Sequence, residues 1–150
     1  MKKRILGIFL ALSMVLSTFT AFAYDDVVTT LEKTSVSLVE GLGIMSAKDG
    51  ESFGSMEYMT RGDFALAVAK MLNYDVTEGK MGNSAFSDVD ISTEQGCAVN
   101  LLADTGIIPT DSNKFEPTAN IQYADAARML LNSLGYEYEI NMNGGYPGGV

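Results

Sequence analysis

Histidine and tryptophan are absent from this chain, cysteine occurs once, proline three times, and basic residues are scarce, with ten Lys and Arg against nineteen Asp and Glu. Each absence excludes something. Without histidine the chain lacks the one side chain whose ordinary pKa suits proton transfer near neutrality. The Ser-His-Asp and Cys-His constellations of nucleophilic hydrolases cannot be built. A single cysteine, Cys97, permits no internal disulfide, and beside Ala98 and Leu101 it reads as a small core hydrophobe. No phosphate-cradling Gly-Lys loop, nucleophile elbow or metal-ligand spacing occurs. Paired acids exist at Asp88/Asp90 and Glu137/Glu139, but in so acidic a chain they read as solvated surface. The composition therefore points to a non-enzyme, with no catalytic residue, no metal ligand and no cofactor.

What is present begins with an export pattern. Lys2, Lys3 and Arg4 precede an apolar run from Ile5 to Leu16, and small residues lead out through Ala21-Phe22-Ala23. This order of charge, apolar core and small-x-small exit is read by signal peptidase, which places the cut after Ala23. A membrane anchor is the competing reading, because Ile5 to Ala23 nearly reaches spanning length. The Ser17-Thr18 break and the acidic Asp25-Asp26 beyond the exit favour cleavage. Removal of residues 1–23 leaves 127 residues carrying seven basic and nineteen acidic side chains, a formal charge of −12. That length suits one modest domain. That charge repels phosphate backbones and anionic lipid, which excludes nucleic acid and a membrane surface as partners.

Internal repetition organises the remainder. Sliding the chain by 63 residues sets Gly43-Ile44 on Gly106-Ile107, Asp25 on Asp88, Val36 on Val99 and Leu38 on Leu101. One loop gap then aligns Phe53 with Phe115, Asp63 with Asp125, Leu72 with Leu134 and Tyr74 with Tyr136. Each copy reads as helix, loop, helix. Thr29-x-x-Glu32 and Ser92-x-x-Gln95 are capping-box patterns for the first helix of each copy. Apolar stripes follow, with Leu31, Leu38, Val39 and Leu42 in one copy and Ala98, Leu101 and Leu102 in the other. Gly43 and Gly106 stand where left-handed caps end helices. Phe53 and Phe115 are expected to pin the polar loops 46–57 and 109–120. The second helices start at Thr60, capped with Asp63, and at Gln122, a weaker cap. Their expected core stripes are Phe64, Val68, Met71 and Leu72, then Ala126, Leu130 and Leu134. The fold class is thus all-α, in tandem helix-loop-helix repeats. A signal peptide at 1–23 comes first, then repeats over 24–75 and 86–136, a polar linker at 76–85 and a Gly-rich tail at 137–150.

These residues resemble a known family. Phe86-Ser87-Asp88-Val89, Gly106-Ile107-Ile108 and Phe115-Glu116-Pro117 match the spaced landmarks of an S-layer homology repeat. Copy one supplies Gly43-Ile44, the Asp49-Gly50 loop, and Met59-Thr60-Arg61-Gly62-Asp63, which is similar to the family's Ile-Thr-Arg-Ala-Glu motif. The likeness covers about Tyr24 to Tyr136, and Gly144-Gly145-Tyr146-Pro147 resembles the opening of a third repeat. The resemblance implies a pseudo-threefold helical bundle of three repeats, so a further repeat is expected to be needed. It also implies non-covalent anchoring of a secreted surface protein to secondary cell-wall polysaccharide, often a pyruvylated one. Carried over residue by residue, it makes Arg61 the contact to an acidic sugar, with Thr60 beside it at the helix start. A guanidinium next to a helix N-terminus is a good anion site. As an exposed first-turn residue, Arg61 would contribute little to folding. The chain departs from the family in having Leu31 and Glu94 where an aromatic is usual, and Tyr123 where copy two would carry the motif arginine. Tyr123 either stacks on a sugar ring or is a half-buried structural tyrosine. The alternative function is a structural or interaction module that keeps the fold and lacks glycan binding.

Two tempting motifs are set aside. Arg61-Gly62-Asp63 is a tripeptide associated with receptor adhesion, yet it occupies the first turn of an expected helix where Asp63 is engaged in capping. Asp88-x-Asp90-x-Ser92 has Thr93 and Val99 where a calcium loop needs Gly and Glu. Intact-mass analysis of the secreted protein is expected to give a chain beginning at Tyr24; a membrane-held chain still starting at Met1 would reverse the export reading.

Overall fold

Thr29 opens the first helix as its pattern requires. Its hydroxyl accepts from the Glu32 amide at 3.2 Å, and the Glu32 carboxylate accepts from the amides of Thr29 and Val28 at 2.8 and 3.0 Å. The computed structural model describes residues 24–80 and 82–136. The expected signal peptide (1–23) and the tail (137–150) lie outside the described residues. Among the described residues four helices follow in order: α1 Thr30–Gly41, α2 Arg61–Met71, α3 Glu94–Asp104 and α4 Tyr123–Ser133, with a 3-10 turn at Val76–Lys80. Among the described residues the remaining regular pairing is one antiparallel bridge, Thr60 to Asn120. The expected all-α class holds.

The repeat is real, and its register differs in detail from the sequence alignment. Asp26, not Asp25, is the counterpart of Asp88. Asp26 accepts from the amides of Phe53, Gly54 and Ser55 at 2.9, 2.7 and 2.7 Å, and Asp88 accepts from those of Phe115 and Glu116 at 2.9 Å each. Tyr24 packs on Phe53 with ring centroids 5.9 Å apart, and Phe86 packs on Phe115 at 5.5 Å with nearly the same tilt. Gly54 and Glu116, one residue on, both have positive φ, 86° and 59°. This offset of 62 governs most of the unit. It slips only around the first helix, because copy two inserts two residues before its cap. The cap there is Thr93, whose hydroxyl accepts from the Gly96 amide at 3.0 Å. The expected Ser92/Gln95 capping box does not form. Ser92 instead turns its amide to the Asp90 carboxylate at 2.9 Å, and Gln95 donates to Asp63 across the repeat boundary. Gly43 and Gly106 end α1 and α3 with φ of 68° and 78°, as expected of left-handed caps.

The main core lies between the two repeats. Ala65, Val68 and Ala69 of α2 pack against Ala98, Val99, Leu102 and Ala103 of α3, and Phe86, Ile107, Ile108, Phe115 and Met129 close the cluster. By contrast, neither α1 with α2 nor α3 with α4 makes an extensive contact. The expected stripes are corrected accordingly. On α4 the buried residue is Met129, while Leu130 and Leu134 are exposed. On α2 Met71 is exposed, and Phe64 and Leu72 are half-buried. On α1 the leucine stripe is open: Leu31, Leu38 and Leu42 are 77%, 59% and 64% exposed, and the buried residue is Val36, in a small second cluster with Tyr24 and Val27. The α1 pattern was read as helical correctly; the face it buries was not, because periodicity gives a stripe without its partner.

The segment expected as a plain linker is tied down. Its 3-10 turn packs on α3 so closely that a Cβ on Gly79 would overlap the Cys97 carbonyl. Buried Asn100 holds both ends of the connection, donating to the Gly79 carbonyl at 3.1 Å and accepting from the Ala85 amide at 3.0 Å. Cys97 is buried and free, its thiol donating to the Ile91 carbonyl.

The aspartate clamps make stability depend on acid. Hydrogen bonds from the amides of Phe53, Ser55 and Gly54 hold the Asp26 carboxyl down at about 2, below its ordinary 3.8. Burial of Asp88 opposes its ionisation, yet the Phe115 and Glu116 amides still hold it below the ordinary range. A carboxyl with a lowered folded-state pKa contributes stability that is complete above its unfolded pKa and lost as pH falls through the folded one. The melting temperature is expected to be steady above about pH 5 and to fall between about pH 4 and 2. Asp26→Asn should lower it at neutral pH and flatten the acid limb, as followed by circular dichroism; an unchanged acid limb would contradict the clamp.

Candidate cell-surface ligand site

The starts of α2 and α4 meet at the repeat boundary. Arg61 donates its amide to the Ala119 carbonyl and Ile121 donates to Met59, both at 2.9 Å, flanking the Thr60–Asn120 bridge. Gly62 then donates to the Pro117 carbonyl at 2.8 Å. The Asp63 amide goes to the Thr60 hydroxyl at 3.1 Å, which in turn donates to the Asp63 carboxylate at 2.6 Å. The first three amides of α2 are therefore spent within the protein. They do not form the open anion cradle that a bare helix start offers.

Arg61 itself crosses into repeat two. Its Nε donates to the Phe115 carbonyl at 2.8 Å, its Nη1 pairs with Asp125, and the guanidinium lies over the Phe115 ring, 4.8 Å from the centroid. The side chain is 20% exposed. Sequence reading treats it as an exposed first-turn arginine; the structure makes it a tie between repeats. Two donors are used of the five a guanidinium carries, so donors remain toward the cleft.

That cleft has a volume of about 170 Å³ and is lined in part by Arg61, Lys114, Arg128, Asp111 and Asp125. Three of the seven basic residues beyond residue 23 converge on it. Among the described residues neither Lys114 nor Arg128 is paired with a carboxylate. The lining carries three positive charges against two negative, with Asp88 acting on Lys114 from just outside it. Sequence reasoning missed Lys114 and Arg128; the signal available was only their offset from Phe115 and Asp125.

The three candidate residues do not line one cavity. Thr60 faces a second groove of about 690 Å³, walled by Phe53, Tyr58, Asp63 and Lys70 among others. Tyr123 opens α4, is 86% exposed, and lines neither cavity. Asp63 and Asp125 are equivalent residues, each held from the other repeat, by Gln95 and Arg61 respectively.

Comparison with known proteins gives one family match, in the second unit. Residues 85–127 match the S-layer homology domain. The chain carries an S-layer homology domain. It is 29% identical over 126 residues to a surface layer protein of Brevibacillus choshinensis, an alignment covering 78% of this chain and 11% of that protein. A middle cell wall protein of Brevibacillus brevis is 29% identical over 128 residues, covering 78% and 12%. A cell surface protein of Thermoanaerobacter kivui is 30% identical over 107 residues, covering 69% and 14%. The chain thus spans 11 to 14% of the length of these relatives. No solved structure matches it. Within the S-layer homology domain lie Asp88, Phe115 and Asp125, the residues that the clamp and the arginine tie depend on. The chain is a cell-surface module, and no described helix is long and apolar enough to cross a membrane.

The tie has a measurable stability. Arg61→Ala removes a charge-assisted pair, a carbonyl bond and a ring contact in one part-buried place, and should cost roughly 1–3 kcal/mol in urea unfolding. Arg61→Lys should recover only part of this, because an ammonium cannot hold the ring, the carbonyl and Asp125 together. Wild-type stability in Arg61→Ala would show the tie to be incidental.

Proposed function

We propose that this module anchors a secreted protein non-covalently to cell-wall polysaccharide, without catalysis. The observation that carries the proposal is the convergence of Arg61, Lys114 and Arg128 on one cleft in a chain otherwise dominated by acids. An acidic sugar, of which a pyruvylated one is an example, supplies the carboxylate such a cleft suits. In this reading the spare guanidinium donors of Arg61 meet the sugar acid. Thr60 fixes the helix start that aims Arg61, and Tyr123 offers an exposed ring for stacking at the start of α4, outside that cleft. Export with cleavage after Ala23 delivers the module to the wall, and a further repeat completes the bundle. The names of the relatives, a surface layer protein and a middle cell wall protein among them, support the same location.

One observation favours the alternative, a structural module without glycan binding: Arg61 is already committed to Phe115 and Asp125. Cosedimentation with purified, protein-free cell wall separates the two. The anchor reading expects retention that weakens with salt, since the contacts are ionic. Lys114→Ala with Arg128→Ala should lower retention about tenfold or more, the size of one or two lost charge-assisted bonds, while helix content stays unchanged. Tyr123→Ala should weaken retention to a smaller degree. A clean supernatant for the wild type, or equal retention by the double variant at matched salt, would favour the structural module.

A further inference from the structure

The loop beside the cationic cleft repeats the loop of repeat one with one exchange of duties. Asp49 and Asp111 each stand four residues before the phenylalanine that pins their loop. Asp49 is structural: its carboxylate accepts from the amides of Glu51 and Ser52 at 2.9 and 2.7 Å and closes the turn ahead of Phe53. In repeat two the amide equivalent to that of Ser52 belongs to Lys114, and it donates to the Ser112 hydroxyl at 3.1 Å, which in turn donates to the Lys114 carbonyl. Repeat one has Gly50 at the position of Ser112 and so has no side chain for this duty. Ser112 thus relieves Asp111 of the turn. Among the described residues no hydrogen bond or ion pair engages the Asp111 carboxylate, yet it lines the cleft. Two of the cations that line it are peculiar to the same repeat, since Ser52 and Leu66 stand in repeat one where Lys114 and Arg128 stand in repeat two. The released carboxylate and the cationic pair occur together.

For a ligand that is charge alone, a free carboxylate in such a cleft is a defect, because it repels the anion. A sugar acid differs, since it carries hydroxyls that donate beside the acid that accepts. Lysine and arginine have no acceptor atom, so the cations hold the acid and leave those hydroxyls unanswered. The other carboxylate of the lining, Asp125, is committed to Arg61. A carboxylate accepting from a hydroxyl makes a strong, charge-assisted bond. We propose that Asp111 is a specificity-determining residue of this cleft: it accepts from ring hydroxyls while the cations hold the acid, so the site prefers a hydroxylated carboxylic acid to one of equal charge and size without hydroxyls. The inference rests on the reading of the cleft as a site for an acidic sugar. Its mark is a sign that charge alone reverses: loss of Asp111 weakens a sugar acid and does not weaken a bare one.

The probes are D-glucuronate and cyclohexanecarboxylate, six-membered rings that share a carboxylate and differ in their hydroxyls. Each is titrated into the chain at matched ionic strength, because the contacts are screened by salt, and binding is followed by amide chemical shifts. The wild type should favour glucuronate. Asp111→Ala, at an exposed site that folding tolerates, should weaken glucuronate about tenfold, the size of one charge-assisted hydrogen bond. It should leave cyclohexanecarboxylate unchanged or more tightly bound. Asp111→Asn keeps an acceptor oxygen without the charge and should recover part of the glucuronate affinity; it also carries the test should the alanine variant lose helix content. Glucuronate binding that holds level or rises in Asp111→Ala, an equal fall for both acids, or no preference in the wild type overturns the proposal. Failure of the wild type to bind either acid overturns it as well, together with the cleft on which the anchor reading rests. Retention on purified wall with a glucuronate response independent of Asp111 overturns this inference alone. An Asp111-dependent response without wall retention supports it and leaves the anchor reading as the one that fails.

Discussion

Everything in this fold depends on one constraint: a helix-loop-helix unit with short, small-residue helices does not bury its own apolar faces. The helices of one unit hardly touch, and the core forms where α2 of the first meets α3 of the second. The residues at that meeting are small, Ala65, Val68 and Ala69 facing Ala98 and Val99, so the axes approach closely. A second close approach, that of the 3-10 turn and of the loop before α3 onto α3, demands the missing side chains of Gly79 and Gly96, where a Cβ would overlap the carbonyls of Cys97 and Asp90. It also buries Asn100, which is tolerable because both polar ends of its amide are bonded.

The same constraint places the candidate ligand site. Because the units join at the starts of α2 and α4, the polar groups of two helix N-termini are gathered at one boundary. Most are consumed there: the amides of Arg61 and Gly62 by carbonyls, and the carboxylates of Asp63 and Asp125 by Gln95 and Arg61. Lys114 and Arg128 are left without a salt bridge among the described residues, Lys114 acting on Asp88 only at longer range, beside an arginine with donors to spare. Strength at the boundary and recognition at the boundary draw on the same side chains, so a gain in one costs the other.

Local signals were legible in the sequence, and partnerships were not. Thr29 with Glu32, the two cap glycines and the pair Phe53 and Phe115 were readable because each is decided by a few neighbouring residues. The shift from Ser92 to Thr93 as cap was not, since a two-residue insertion in a loop leaves either hydroxyl plausible. The leucines of α1 show the deeper reason. Their spacing marks a helix face, and a face is buried only if something lies against it, which no single segment encodes. Arg61 was found through its motif, but its engagement with Phe115 and Asp125 spans 54 and 64 residues. Lys114 and Arg128 carry no motif and acquire meaning only from the cleft that collects them. The helical class and the cell-surface setting were thus available from the sequence, whereas the composition of the cleft was not.

The placement of the core between units also fixes the order in which the chain can become stable as it is made. Synthesis releases residues from the N-terminus, and a segment folds only when its partners have emerged. The cluster of Tyr24, Val27 and Val36 with Phe53, and the Asp26 clamp on residues 53–55, can close once the first loop is out. The buried face of α2 cannot, because its partner is α3 and its arginine tie reaches Asp125. Until α3, Glu94–Asp104, has emerged, α2 is a nascent helix with an apolar side and nothing to lay it on, and its arginine tie waits longer still for Asp125. Such a chain consolidates only when the second unit arrives.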